Sequence, residues 1–366
     1  MIIGIDSKPL CLSHAGGLKN YCINLILNLA LIDKKNTYYL FSPRIINFNL
    51  PHNFINVVPG KFQSKLPWQI MLPLLHQNFK TDVFHFTQQH GAILLQADRI
   101  VTTVHDWAGS FAYPKLRDDW KYWLIFQYLR IIRTVLCSRT SIFIAVSKFS
   151  RNEIIKYLHT TKPIQVIYEG VNKNIFYAAN KSQVKKEYYI LSIADFSPRK
   201  NVKSVIRAYA QLSKNLKNKY KLKIIMSMSN QLPKLKELIL QLKIEKNVQI
   251  LLNISDLELA KEYQNASVFV YASLYEGFGL PILEAMACGC PVITSNRTAT
   301  AEISGDCAYK INPGSSKEIT QTIKLLLTNS GIRKQIIGKG LKKSEKFSWE
   351  NTARETLKVY EEVFKS

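Results

Sequence analysis

The stretch that most constrains the fold is Val268–Thr294, VFVYASLYEGFGLPILEAMACGCPVIT. Its first four residues, Val268 to Tyr271, are β-branched or aromatic and suit a strand buried on both faces. The loop Glu276-Gly277-Phe278-Gly279 follows, and then a helix that Pro281 can open and Gly289 can close. Glu276 and Glu284 stand eight positions apart, the first in the loop and the second expected in the first turn of that helix. Both therefore belong at the C-terminal edge of a parallel strand, where open α/β sheets bind their ligands.

The remaining chain alternates short apolar runs with helical patterns, which predicts βαβα order throughout. Strands are expected at Ile2–Ile5, Tyr38–Phe41, Ile55–Val58, Val83–Phe86, Ile100–Val104, Ile142–Val146 and Gln165–Tyr168. A polar, lysine-rich linker, Asn172–Glu187, then interrupts the alternation. It restarts with strands at Tyr189–Ile193, Leu222–Met226, Val248–Leu251, Val268–Tyr271 and Val292–Thr294, and with a helix from Val202 to about Leu216. Two last helical patterns, Ser316–Thr328 and Trp349–Phe364, close the chain, the second with Ser348 as a possible cap. A chain of 366 residues exceeds one ordinary core. Two restarted α/β halves imply two open sheets facing each other across a cleft.

The formal net charge is +24, while 47% hydrophobic and 21% charged residues are ordinary for a globular protein. Such a surface attracts nucleic acid, anionic lipid head groups or a phosphorylated substrate, unless it only reflects lysines on solvated helix faces. Lys61–Lys80 and Lys115–Arg139 interleave basic and aromatic residues. Either segment could lie on an anionic membrane or turn its aromatic stripe into the core, and the core reading is favoured for Lys115–Arg139. The N-terminal run is too short for a signal peptide, and no window reaches the length of a membrane span. The six cysteines lack metal-site spacing and read as reduced packing residues of a cytoplasmic protein.

Several short segments carry chemistry. Gly16-Gly17 precedes a helix and permits close backbone approach to a phosphate, although such pairs also serve simple turns. His105-Asp106 leaves the end of the fifth strand. Ser147 suits the cap of a helix Lys148–Leu158. The loop Asp195–Asn201 places Arg199 and Lys200 before a helix, where they suit a diphosphate or a plain surface turn. There is no Asp-x-Asp metal motif, no phosphate-binding lysine loop and no Ser-His-Asp layout, which disfavours metal-assisted and nucleotide-hydrolysing chemistry.

Glu276 to Pro281, followed by Glu284 to Val292, resembles the signature of the retaining GT-B glycosyltransferases of family 4. Ala145-Val146-Ser147, Ile167 to Asn172, Pro198 to Asn201 and Phe347-Ser348-Trp349 resemble further segments of that family. The resemblance implies a GT-B fold of two Rossmann-like domains, an acceptor-binding domain over 1–175 and a nucleotide-sugar domain over 176–348. The helix 349–366 would pack back onto the first. It also implies that Glu276 lies against the donor sugar, that Glu284 binds the ribose, and that Lys200 holds the diphosphate. The amides of Gly277, Phe278, Gly279 and Leu280 would cradle sugar and phosphate. His105 and Asp106 would border the sugar, and Gly16 and Gly17 would approach the phosphates and acceptor.

Many relatives carry Gly-Arg where this chain has Ala194-Asp195, so Arg199 is the candidate replacement for the missing cation. Asn172 stands where the family has Asp. The expected activity is retaining, metal-independent transfer of a hexose, with mannose favoured. The co-substrate would be a GDP- or UDP-linked sugar, with no cofactor. The acceptor would be a glycan or lipid-linked acceptor of surface polysaccharide or glycolipid assembly, and the location cytoplasmic, peripheral on an anionic inner leaflet. The alternatives are a catalytically weak sugar-nucleotide-binding partner subunit, raised by Asp195, and a nucleic-acid-binding protein, raised by charge alone and supported by no recognition module.

Overall fold

The computed structural model describes residues 1–12, 16–60, 66–89, 91–92, 94–106, 120–179, 188–194, 198–227 and 232–366; the side chains of 120–126, 129, 130, 133 and 198 lie outside that description. The chain divides into two compact units, Met1–Gly170 with Trp349–Ser366, and Val171–Ser348. Each is a parallel sheet flanked by helices, the Rossmann-like α/β architecture that the alternation predicts.

Among the described residues, the first unit contains strands β1 (Ile2–Asp6), β2 (Thr37–Phe41), β3 (Phe54–Val57), β4 (Val83–Phe86), β5 (Ile100–Val104), β6 (Ile142–Ala145) and β7 (Ile164–Val166). Their spatial order is β3-β2-β1-β4-β5-β6-β7, with every pairing parallel. The order reverses between β1 and β4, and such a switch point opens a crevice at the strands' C-terminal ends. The last helix, Trp349–Lys365, buries Trp349, Ala353, Val359, Tyr360 and Val363. That stripe, spaced for one helical face, packs against the helix Gly17–Ile32.

In the second unit the strands are β8 (Tyr189–Ala194), β9 (Lys221–Met226), β10 (Val248–Leu252), β11 (Val268–Tyr271), β12 (Val292–Ser295) and β13 (Tyr309–Ile311). They run β10-β9-β8-β11-β12-β13, again parallel, so the switch point falls between β8 and β11. Val268 to Tyr271 are all buried, as their composition requires.

Some local expectations need correction. The helix expected over Val202–Leu216 stops at Ala210, and a separate helix, Lys214–Lys219, begins when the Ser213 hydroxyl accepts the Leu216 amide. A capping serine inside the pattern outcompeted its continuation. Strand β13 is only three residues long and was not expected. The helix Ser330–Ser344, capped by Asn329, was also missed because its lysines and glycines blur its apolar face. Ser147 caps Lys148–Leu158 as expected, accepting from the Ser150 amide at 2.9 Å. Part of the expected linker is packed into the second unit, with Phe176 buried against Tyr263. All six cysteines are free, and Cys22, Cys137, Cys288, Cys290 and Cys307 are buried.

Candidate active site

At the switch point of the second unit, hydrogen bonds tie the segment 198–201 to the segment after β11. Asn201 adopts a left-handed backbone (φ 55°), and its side-chain amide donates to the carbonyls of Ala272 at 3.0 Å and Pro313 at 2.7 Å. The Leu274 amide donates to the Arg199 carbonyl at 2.8 Å. These bonds fix Arg199 and Lys200 beside the loop that carries Glu276.

Glu276 is buried, 6% exposed, within a dense set of donors. Its Oε1 receives Lys200 Nζ at 2.9 Å, the Tyr271 hydroxyl at 2.8 Å and the Ser273 hydroxyl at 2.7 Å. Lys200 also donates to the Tyr271 hydroxyl. The guanidinium of Arg199 lies 3.5 Å from Oε2. Burial alone would raise this carboxyl's pKa, but the charges of Lys200 and Arg199 and the hydrogen bonds more than offset it and hold the pKa at about 2. The backbone of Glu276 is clamped too. Its amide donates to Thr298 Oγ1 and its carbonyl accepts from Ala299, both at 3.3 Å. Two cations thus stand against one carboxylate, an arrangement suited to a phosphate-bearing ligand.

Gly279 has φ 109°, and a Cβ there would stand 3.2 Å from Ile282 Cδ1. This left-handed turn, which glycine adopts without strain, lets the helix Leu280–Ala287 begin at Leu280, with Pro281 second. Glu284 therefore lies in the second turn, not the expected first turn. It is buried, and the Tyr263 hydroxyl donates to Oε2 at 3.4 Å. Gly289, at φ 73°, follows the helix end. Asp195 lies outside the described residues.

The other predicted residues belong to the first unit. Gly16 and Gly17 stand at the start of the helix Gly17–Ile32, and among the described residues nothing stands within 4 Å of a Cβ built on either. His105 and Asp106 follow β5, and the Asp106 carbonyl accepts from Gln89 at 2.5 Å. The ring of His105 is buried and held at both nitrogens, Nδ1 by Glu169 at 2.9 Å and Nε2 by the Thr87 carbonyl at 3.0 Å. The structure thus brings Glu276, Arg199 and Lys200 together in one unit, and His105 and Asp106 in the other.

Sequence reasoning missed Tyr271, Ser273, Asn201, Thr298 and Glu169. In the sequence Tyr271 has the character of a strand residue, and an aromatic hydroxyl at a strand's last position is its available signal. Thr298 has φ 57°, an uncommon backbone for a β-branched residue, which no local pattern betrays.

Residues 176–343 match the family model described as glycosyl transferases group 1, and residues 15–174 match glycosyltransferase family 4. The chain is 29% identical over 272 residues to the O-antigen chain mannosyltransferase B of Escherichia coli, covering 72% of this chain and 70% of that one. It is 30% identical over 240 residues to the serotype-specific mannosyltransferase WbdA of Escherichia coli, but spans only 29% of that longer protein and 62% of itself. Its fold is similar to the sucrose-phosphate synthase from Thermosynechococcus elongatus, with a TM-score of 0.82 at 18% identity, covering 99% of both chains. Two Rossmann-like units, one glycosyltransferase model on each half and a GT-B neighbour along the whole length place this chain among the GT-B glycosyltransferases.

Proposed function

We propose that this glycosyltransferase transfers a hexose, mannose foremost, from a GDP- or UDP-linked sugar with retention of anomeric configuration and without a metal. The acceptor is a glycan or lipid-linked acceptor of surface polysaccharide or glycolipid assembly. The observation that carries the reading is Glu276, buried and ionised between Lys200 and Arg199 at the switch point of a parallel sheet. The mannosyltransferase names of its relatives support the choice of sugar.

In this reading Lys200 and Arg199 hold the diphosphate, with the amides of Gly277 to Leu280 beside them. Glu284 accepts from the ribose hydroxyls, and Glu276 faces the sugar. Gly16 and Gly17 approach the phosphates, and His105 and Asp106 border the hexose. The bond from the anomeric carbon to the phosphate oxygen breaks, and its electron pair leaves with the nucleoside diphosphate. The acceptor oxygen bonds to that carbon on the same face, and its proton passes to the departing phosphate. Cations and amides fixed in advance stabilise the charge that develops on the leaving group.

The test is turnover with a panel of nucleotide sugars, with the product's anomeric configuration read by NMR and the assay repeated in chelator. Transfer from GDP-mannose with retention, unaffected by chelator, is expected. Inversion, or no transfer from any sugar nucleotide, would overturn the reading. The paired cations on Glu276 support an active enzyme over a weak partner subunit, with Arg199 taking the role of the second diphosphate cation.

The same reading places the protein on the cytoplasmic side, peripheral to an anionic leaflet. In the helix Trp68–His76, Trp68, Met71, Leu72 and Leu75 are buried while Ile70 and Leu74, one turn apart, are 43% and 37% exposed. An apolar pair on a chain of charge +24 suits a membrane surface. Binding to anionic vesicles should weaken steeply with salt, and binding that ignores salt would remove the membrane from the proposal.

A further inference from the structure

The two oxygens of Glu276 are held unequally. Oε1 receives the Ser273 hydroxyl at 2.7 Å, the Tyr271 hydroxyl at 2.8 Å and Lys200 Nζ at 2.9 Å. A carboxylate oxygen offers two lone pairs, so three donors occupy it fully. Oε2 has the Arg199 guanidinium at 3.5 Å, close enough for attraction between charges but beyond the length of an ordinary hydrogen bond. Among the described residues, the hydrogen bonds of this carboxylate therefore gather on one oxygen and leave accepting capacity on the other.

Two of the three donors on Oε1 are fixed parts of the sheet edge. Tyr271 ends β11, which pairs with β8 on one side and β12 on the other. Its buried ring stacks on Phe269, with centroids 5.7 Å and planes 23° apart, because a spacing of two residues puts both side chains on one face of the strand. Turning the hydroxyl away would break that stack. The Ser273 hydroxyl has a single hydrogen, and of its neighbours, the Arg199 carbonyl at 3.0 Å, the Tyr275 carbonyl at 3.2 Å and Oε1, the last is nearest and charged. Lys200 differs, since its ammonium ends a flexible stem and divides its hydrogens between Oε1 and the Tyr271 hydroxyl. If Lys200 turns to a diphosphate, Tyr271 and Ser273 still hold Oε1.

We propose that Tyr271 is a positioning residue that, with Ser273, holds Oε1 of Glu276 so that Oε2 is the oxygen presented to a hydroxyl of the donor hexose. This rests on the reading that Glu276 faces the sugar, and every group it uses belongs to the second unit. The hexose hydroxyl donates and Oε2 accepts. Tyr271 does not touch the sugar; it acts by fixing which way the carboxylate is turned.

The experiment measures kcat/KM with GDP-mannose and UDP-glucose as donors, and Kd for free GDP and UDP, in the full chain and its Tyr271→Phe and Glu276→Ala variants. Tyr271→Phe keeps the ring and its stack but removes one donor from Oε1. It should lower kcat/KM by ~10-fold while the Kd of the free diphosphate, which lacks the hexose, stays within about twofold. An unchanged kcat/KM, or an equal loss in both quantities, overturns the proposal. If Glu276→Ala transfers sugar as well as the parent, the reading of Glu276 fails and the proposal with it. If Glu276→Ala is inactive and Tyr271→Phe is unaffected, the proposal alone fails. Should Tyr271→Phe not fold, a crystal structure of the unmodified protein with either sugar nucleotide decides the case: a hexose hydroxyl within about 3 Å of Oε2 supports the proposal, and one on Oε1 or on neither oxygen overturns it.

Discussion

In the second unit a buried carboxylate, Glu276, faces an ammonium and a guanidinium; in the first, Glu169 faces an imidazole. Both lie near the C-terminal edges of parallel sheets, and both are almost fully withdrawn from water. Yet Glu276 meets two cations carried by a neighbouring loop, while Glu169 meets the single ring of His105, whose other nitrogen is held by the Thr87 carbonyl. The first arrangement suits a permanent field that receives a diphosphate. The second holds one ring at both nitrogens and fixes its orientation.

The comparison breaks most directly at Glu276. On the proposed function, Glu276→Ala should lower kcat/KM by ~100-fold or more, since it removes the carboxylate assigned to the donor sugar and leaves two cations without their countercharge. Initial rates with saturating acceptor measure this, and an unaffected rate would remove Glu276 from the site.

Next come the two cations. Lys200 is closer to Glu276 and also bonds Tyr271, so Lys200→Ala should weaken nucleoside diphosphate binding by ~10-fold or more and Arg199→Ala by less. Calorimetric titration orders them, and equal losses would mean that Arg199 fully replaces the cation missing at position 195.

The third contrast is in stability against pH. The Glu276 pKa of about 2 lies below the ordinary value of 4.5, so between those values the unfolded chain binds more protons and stability rises with pH. The contribution, on the order of 3 kcal/mol, is complete above about pH 5 and is lost as pH falls towards 2. Glu276→Gln should flatten the acid side of a plot of Tm against pH, and an unchanged acid side would remove Glu276 as its source.

The smallest effect belongs to the last helix of the first unit. Tyr360→Phe removes the hydroxyl that His85 Nδ1 meets and should cost about 1 kcal/mol in denaturant unfolding. A loss near zero would mean that the link between the last helix and β4 rests on packing alone.

Much of the second unit's site was legible because it is local. Glu276 to Gly289 is one continuous segment whose glycines, proline and carboxylates each answer to turn or helix chemistry, and Pro198 to Asn201 has the same character. What failed there was register, since Gly279 starts the helix one residue before Pro281 and so moves Glu284 into the second turn. Other misses were elements with weak periodicity, such as β13 and the lysine-rich helix Ser330–Ser344.

The amino-acid order by itself determined the βαβα alternation, its restart after the linker, and the loop that carries Glu276, because periodicity and backbone preference act over a few residues. Only the tertiary structure decided that Tyr271, Ser273 and Lys200 converge on one carboxylate oxygen, and that His105 takes Glu169 as its partner. His85 and Tyr360, 275 positions apart, make the same point. Both are buried polar groups, and a buried polar group must find a partner wherever the fold brings one within reach.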